Sequence, residues 1–247
     1  PDAGPGGAVS ARAVALAVGV WREPIVLPVE GGRGPNVFSE FTDPTPFTGC
    51  EVTVVGGGNS ALGAALSLAE ARARVTLVMR RPPKAYRSGV RPHVRRDLGF
   101  AVNEGRVRLL CRHNVTRIGP RSVTAQPVRY TGRWDLWEGT AADYAPDGEP
   151  LEVPGRFVFA LLGHRPDAAF LRDVMGLDLR GDGRPVCDET TWETPRENIF
   201  LAGSLCSVRL DIVLKIREQA AGGRRRHCPA ATRSVTDVRA FSERTQP

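Results

Sequence analysis

The chain has 247 residues, of which 41% are hydrophobic and 25% charged, with 27 glycines and 20 prolines; this fits a loop-rich α/β chain of one large domain or two small ones better than a helical bundle. No apolar run approaches the roughly 20 residues that span a bilayer, and no basic-then-apolar segment opens the chain, so a cytoplasmic protein without a membrane partner is expected. The formal net charge of +7 comes mostly from scattered arginines and aromatics are only 6%, so an arginine-rich composition explains the basic balance more economically than a nucleic-acid partner does.

Residues 1–10 are turn-rich, and the apolar run Ala13–Val18, closed by Gly19, predicts a short buried strand. Between 22 and 48 stand Pro24, Pro28, Pro35, Pro44 and Pro46, a density that predicts a connecting segment. Residues 50–80 predict a β-α-β unit: a continuously apolar or β-branched strand at 52–55, a helix from Ser60 to Arg72, and a strand at 75–79. The helix carries Ala61, Leu62, Ala65, Leu66, Leu68 and Ala69 along one stripe. Residues 81–105 are basic and broken by prolines. Strands are expected at Val107–Leu110, Val115–Ile118 and Ser122–Val128, with a polar loop over 131–150. Phe157–Leu162 and Ile199–Ala202 predict buried strands ending at Gly163 and Gly203; a helix over 208–221 and a loose basic tail follow.

Gly56, Gly57, Gly58, Asn59, Ser60 and Ala61 read G-x-G-x-x-A between that strand and that helix. Gly56 suits the tight turn, Gly58 leaves room for a pyrophosphate against the backbone, and Ala61 lets helix and strand pack closely. The first helical N–H groups lack internal partners and present a positive end to a phosphate. Asn59 or Ser60 is expected to cap the helix or bond a phosphate oxygen. The other reading of the turn is a glycine-rich bend in an α/β protein without a ligand. Arg80 and Arg81 end the second strand, where an NAD site carries Asp or Glu; arginines there suit a 2′-phosphate, which favours NADP(H), or else form a solvated surface pair.

The five cysteines, Cys50, Cys111, Cys187, Cys206 and Cys228, form no C-x-x-C pair and are expected as free thiols. The 4 histidines include no pair at metal-ligand spacing, so no metal site is expected. His93 lies among arginines and reads as a surface residue. His164 reads as an acid/base or, more economically, as a loop residue beside a bound cofactor or at a domain hinge.

Three apolar strands each ending in glycine, at Gly19, Gly163 and Gly203, surround the β-α-β unit in a fixed order. With the Gly56–Ala61 turn, Met79-Arg80-Arg81, Gly163-His164-Arg165-Pro166 and Ile199–Ser204, the chain resembles the thioredoxin reductase-like FAD/NAD(P)-binding flavoproteins over roughly residues 9–207, the bacillithiol disulfide reductase branch most closely. The resemblance implies an α/β fold in which a Rossmann-like NAD(P)-binding domain is inserted in the remnant of an FAD-binding domain. The expected segments are 1–48, FAD-domain remnant and linker; 49–156, NADPH domain; 157–221, the C-terminal part of the FAD domain; and 222–247, the tail. It further implies NADP(H) on residues 56–61, 80 and 81, and FAD contacts at Gly163, Gly203 and Ser204. A small-molecule substrate follows, with a homodimer allowed.

Three departures qualify this. No full FAD-type β-α-β unit precedes Ala13, so an N-terminal truncation is expected. Ser204 stands where the family keeps a flavin-contacting Asp, and the dithiol Cys-x-x-Cys of thioredoxin reduction is absent between 81 and 160. Two expectations therefore stand side by side: an NADPH-dependent flavoprotein oxidoreductase acting on a disulfide or other small acceptor, and a nucleotide-binding fragment or subunit without its own flavin half.

Overall fold

Strands that are apolar throughout need cover on both faces, and the chain supplies it from two kinds of element. The computed structural model describes residues 11–82, 90–131, 144–181 and 183–206. In chain order its strands begin with β1 (Val14–Leu16), β2 (Glu23–Pro24), β3 (Val37–Phe38), β4 (Glu51–Val55), β5 (Arg74–Met79), β6 (Val107–Cys111) and β7 (His113–Ile118). They continue with β8 (Ser122–Tyr130), β9 (Tyr144–Pro146), β10 (Leu151–Pro154), β11 (Phe157–Ala160), β12 (His164–Arg165) and β13 (Ile199–Leu201). The helices are α1 (Asn59–Glu70) and α2 (Pro92–Asn103). Contacts divide the chain into a larger unit, Gly19–Pro185, and a smaller one made of the residues before and after it.

In the larger unit, five parallel strands lie in the order β3-β11-β4-β5-β6. Alternation along β4 sends Val52 and Val54 to one face and Val55 to the other. The first face packs under α1 and α2, with Leu62, Leu68, Leu77 and Leu98 wholly buried; each such side chain contributes about 1.5–3 kcal/mol by leaving water. The second face packs on an antiparallel sheet of β7, β8 and β10, with β9 added beside β8, through Val115, Ile118, Val123, Ala125 and Val153. Thr53, buried in this layer, donates its hydroxyl to the carbonyl of Pro154 at 3.2 Å. The smaller unit, described by itself, holds β1 and β13 as a parallel pair, extended where the Ala202 N–H donates to the Leu16 carbonyl at 2.9 Å.

α1 follows from its composition: alanines at 61, 64 and 65 remain buried and allow the helix to sit close on β4. It stops where Arg72 turns left-handed, φ 63°, while the Ala73 N–H reaches back to the Leu68 carbonyl at 3.0 Å.

Several expectations change. The stretch 81–105, read as broken by prolines, contains α2: Pro92 stands in its first turn, where a missing N–H costs nothing, and Leu98 and Ala101 face the core. The connecting segment 22–48 contributes two short strands, because an edge position needs only Val37 and Phe38 to pair with β11. The loop expected over 131–150 includes β9, whose Tyr144 pairs with Tyr130. The helix expected over 208–221 and the tail after it lie outside the described residues.

Candidate functional site

A cavity of about 680 Å³ opens at the carboxyl ends of β4, β5 and β11. Its floor is the turn leaving β4. Gly56 has φ +145°, and its N–H donates to the Val78 carbonyl at 3.0 Å. A Cβ there would stand 2.5 Å from the Leu161 carbonyl oxygen and 2.9 Å from Ala61 Cβ, so this position admits no side chain without moving backbone. Gly58 is different. It is the extended N-cap of α1, and a Cβ built on it meets nothing within 4 Å. The packing of the protein alone leaves that space open, beside helix N–H groups that have no side-chain cap.

The expectation that Asn59 or Ser60 caps α1 is corrected: both already lie inside the helix, and Gly58 is the cap residue. The Asn59 Oδ1 instead accepts the N–H of Arg91 at 2.8 Å, tying the glycine turn to the start of α2. Ser60 is exposed on the cavity wall.

Arg80 and Arg81 line the same cavity. The guanidinium of Arg80 lies over the Tyr144 ring, 5.4 Å from its centre, a cation–π contact that fixes its direction. The Arg81 carbonyl accepts the N–H of Arg112 at 3.4 Å. Gly163 joins the rim, its carbonyl accepting the N–H of Ile25 at 2.9 Å. Thus Gly56, Gly57, Gly58, Asn59, Ser60, Arg80, Arg81 and Gly163 meet in one place, and Ala61 packs directly beneath them. Gly203 and Ser204 belong to the smaller unit, in a single turn Gly203–Leu205 after β13.

Two histidines that motif matching did not place in a nucleotide pocket also line it, His113 and His164, together with Asn114. The His164 ring rests 5.1 Å from Trp21, and its Nδ1 is buried without a hydrogen-bond partner. Among the described residues lining the cavity none is acidic, so its charged side chains are all of one sign. Cys111, at the end of β6, is half-buried; burial pushes its thiol up to about 11, opposed only in part by the Arg112 charge. It is a thiol, not a thiolate, at neutral pH.

The sequence profile of the pyridine nucleotide-disulphide oxidoreductases matches residues 5–203. The chain belongs to that family. Bacilliredoxin reductase Bdr of Bacillus subtilis is 30% identical over 193 residues, which are 78% of this chain and 53% of the relative. A ferredoxin–NADP reductase of Ignicoccus hospitalis is 40% identical over 195 residues, 78% of this chain and 56% of that one. The solved bacillithiol disulfide reductase Bdr of Bacillus cereus superposes with a TM-score of 0.65 at 29% identity, covering 79% of this chain and 54% of its own. This family member is therefore an α/β protein of the thioredoxin reductase-like fold, near the bacillithiol disulfide reductases, and it spans about half the length of the relatives it matches. Among the described residues no helix is long and apolar enough to cross a membrane.

Proposed function

We propose that this chain binds NADP(H) in the cavity above β4 and β5 and serves an NADPH-dependent flavoprotein oxidoreductase. The observation that carries the reading is the cavity, without a carboxylate among its described lining residues, in which an uncapped helix N-terminus, the empty space over Gly58 and two arginines converge. The residues fit the group. Gly58 and the first turn of α1 would take the pyrophosphate, and Arg80 and Arg81 the 2′-phosphate. NADPH supplies a hydride that a flavin relays to an acceptor; the protein's part is to bind, orient and exclude water. By likeness to the bacillithiol disulfide reductases, the acceptor class is a small disulfide.

The fit to FAD is poorer among the described residues. Gly203 and Ser204 follow a two-stranded parallel pair, and Ser204 offers only a neutral hydroxyl there. That observation favours a second reading, a nucleotide-binding chain that obtains flavin chemistry from a partner. The visible spectrum of the purified chain, recorded with and without added FAD and then during NADPH titration, separates the two. A yellow protein bleached by NADPH supports the first. A colourless one that still binds NADPH supports the second, and no NADPH binding overturns both.

A further inference from the structure

β6 and β7 are joined by Arg112 alone, and that residue has a φ of 58°, left-handed backbone that a non-glycine side chain rarely adopts. The conformation is held from both sides. The Arg112 N–H donates to the Arg81 carbonyl at 3.4 Å, and its own carbonyl accepts the N–H of Val128 at 2.8 Å. Strain so held at the rim of a cavity points to what the next residue does there. That residue is His113, and its Nδ1 stands 2.7 Å from the Cys111 carbonyl. A carbonyl only accepts, so Nδ1 carries the proton. Nε2, on the opposite edge of the ring, is therefore an acceptor in the neutral imidazole and a donor once a second proton is added.

The sheet register sets its company. Met79 pairs with Cys111, and Arg81 and His113 each stand two residues beyond that pair. Both line the cavity.

Resting on the NADP(H) reading above, we propose that His113 is a third specificity-determining residue for the 2′-phosphate, protonated at Nε2 when the phosphate arrives and donating that proton in a charge-assisted hydrogen bond. The charged and titratable groups around it are consistent with this. Arg80 and Arg81 approach from the end of β5, Arg112 adjoins it, and Tyr144 on β9 lies against Arg80. Asp147, whose N–H donates to the carbonyl of Pro127 opposite His113, is exposed and does not line the cavity. With cations on that side and no carboxylate among the described lining residues, the surroundings suit an incoming dianion.

Adenosine 2′,5′-bisphosphate and AMP differ only in the 2′-phosphate, and their affinities for the full chain test the assignment by calorimetry. His113→Phe, which keeps an aromatic ring, is expected to weaken the bisphosphate about tenfold and AMP less than about twofold. Equal weakening of both ligands, or none, overturns the role of His113. Arg80→Ala with Arg81→Ala separates this from the underlying reading. If that variant loses the preference for the bisphosphate while His113→Phe keeps it, only the histidine proposal falls. If the wild type has no preference at all, the NADP(H) reading falls with it.

Discussion

The two ends of the five-stranded sheet each carry a cavity, and they are chemically opposite. At the carboxyl end lie the bare glycine turn, the N-terminus of α1 and, among the described residues, a lining without carboxylates. At the amino end a cavity of about 860 Å³ has four arginines, Arg72, Arg74, Arg106 and Arg108, but also Glu51 and Glu70. Arg74 meets Glu51 at 3.6 Å, and Arg106 meets Glu104 at 2.6 Å. The parallel strands make the ends unequal from the start, because α1 shows its positive pole to one and its negative pole to the other. Size and arginine content alone would favour the amino-end cavity. What distinguishes the carboxyl end is a backbone with open space for an anion, and arginines without a carboxylate among the described lining residues.

The sharpest way to break that contrast is to remove paired arginines at each end. Arg80→Ala with Arg81→Ala should weaken NADPH about a hundredfold and NADH less than about threefold, since each charge-assisted bond to phosphate is worth roughly 1.5–3 kcal/mol. Arg72→Ala with Arg108→Ala should leave both affinities within about twofold. Equal effects of the two pairs, measured by calorimetry, would erase the distinction.

The glycine turn offers a second cut. Gly56→Ala drives a Cβ against the Leu161 carbonyl in a left-handed backbone, and urea unfolding should show a loss of about 1–3 kcal/mol. Gly58→Ala should keep the midpoint of unfolding near the wild-type value and still weaken both nucleotides about tenfold, because its methyl fills the ligand's space rather than the protein's. Should stability and binding fall together at Gly58, the space is structural. Smallest of all, Arg74→Ala should cost less than about 1 kcal/mol, since its ion pair with Glu51 is exposed on both sides.

The parts of this site that the sequence made legible are those whose residues are neighbours in the chain. Gly56 to Ala61 form one turn, and Arg80 and Arg81 end the next strand of the same unit. His113 is hidden because only the β5–β6 register carries it to Arg81, and nothing local in the sequence marks that pairing. α2 is hidden for another reason: Pro92 reads as a breaker in isolation, although in the first helical turn proline starts a helix. Val37 and Phe38 look like loop residues in isolation, and they become a strand because β11 presents an open edge. The strand ends at Gly163 and Gly203 were visible as composition, but their grouping was not. Gly163 belongs to the larger unit and Gly203 to the smaller.

Trp21 is 64% exposed and tilted against the His164 ring at the lip of the carboxyl-end cavity. This placement gives the molecule an optical gauge of its own. Indole emission responds to a change of solvent contact, and reduced nicotinamide absorbs in the region where tryptophan emits. On the proposed NADP(H) reading, filling the cavity should dim Trp21 by energy transfer and shift its colour by drying its surroundings, so that occupancy can be followed by light alone, without turnover and without any label.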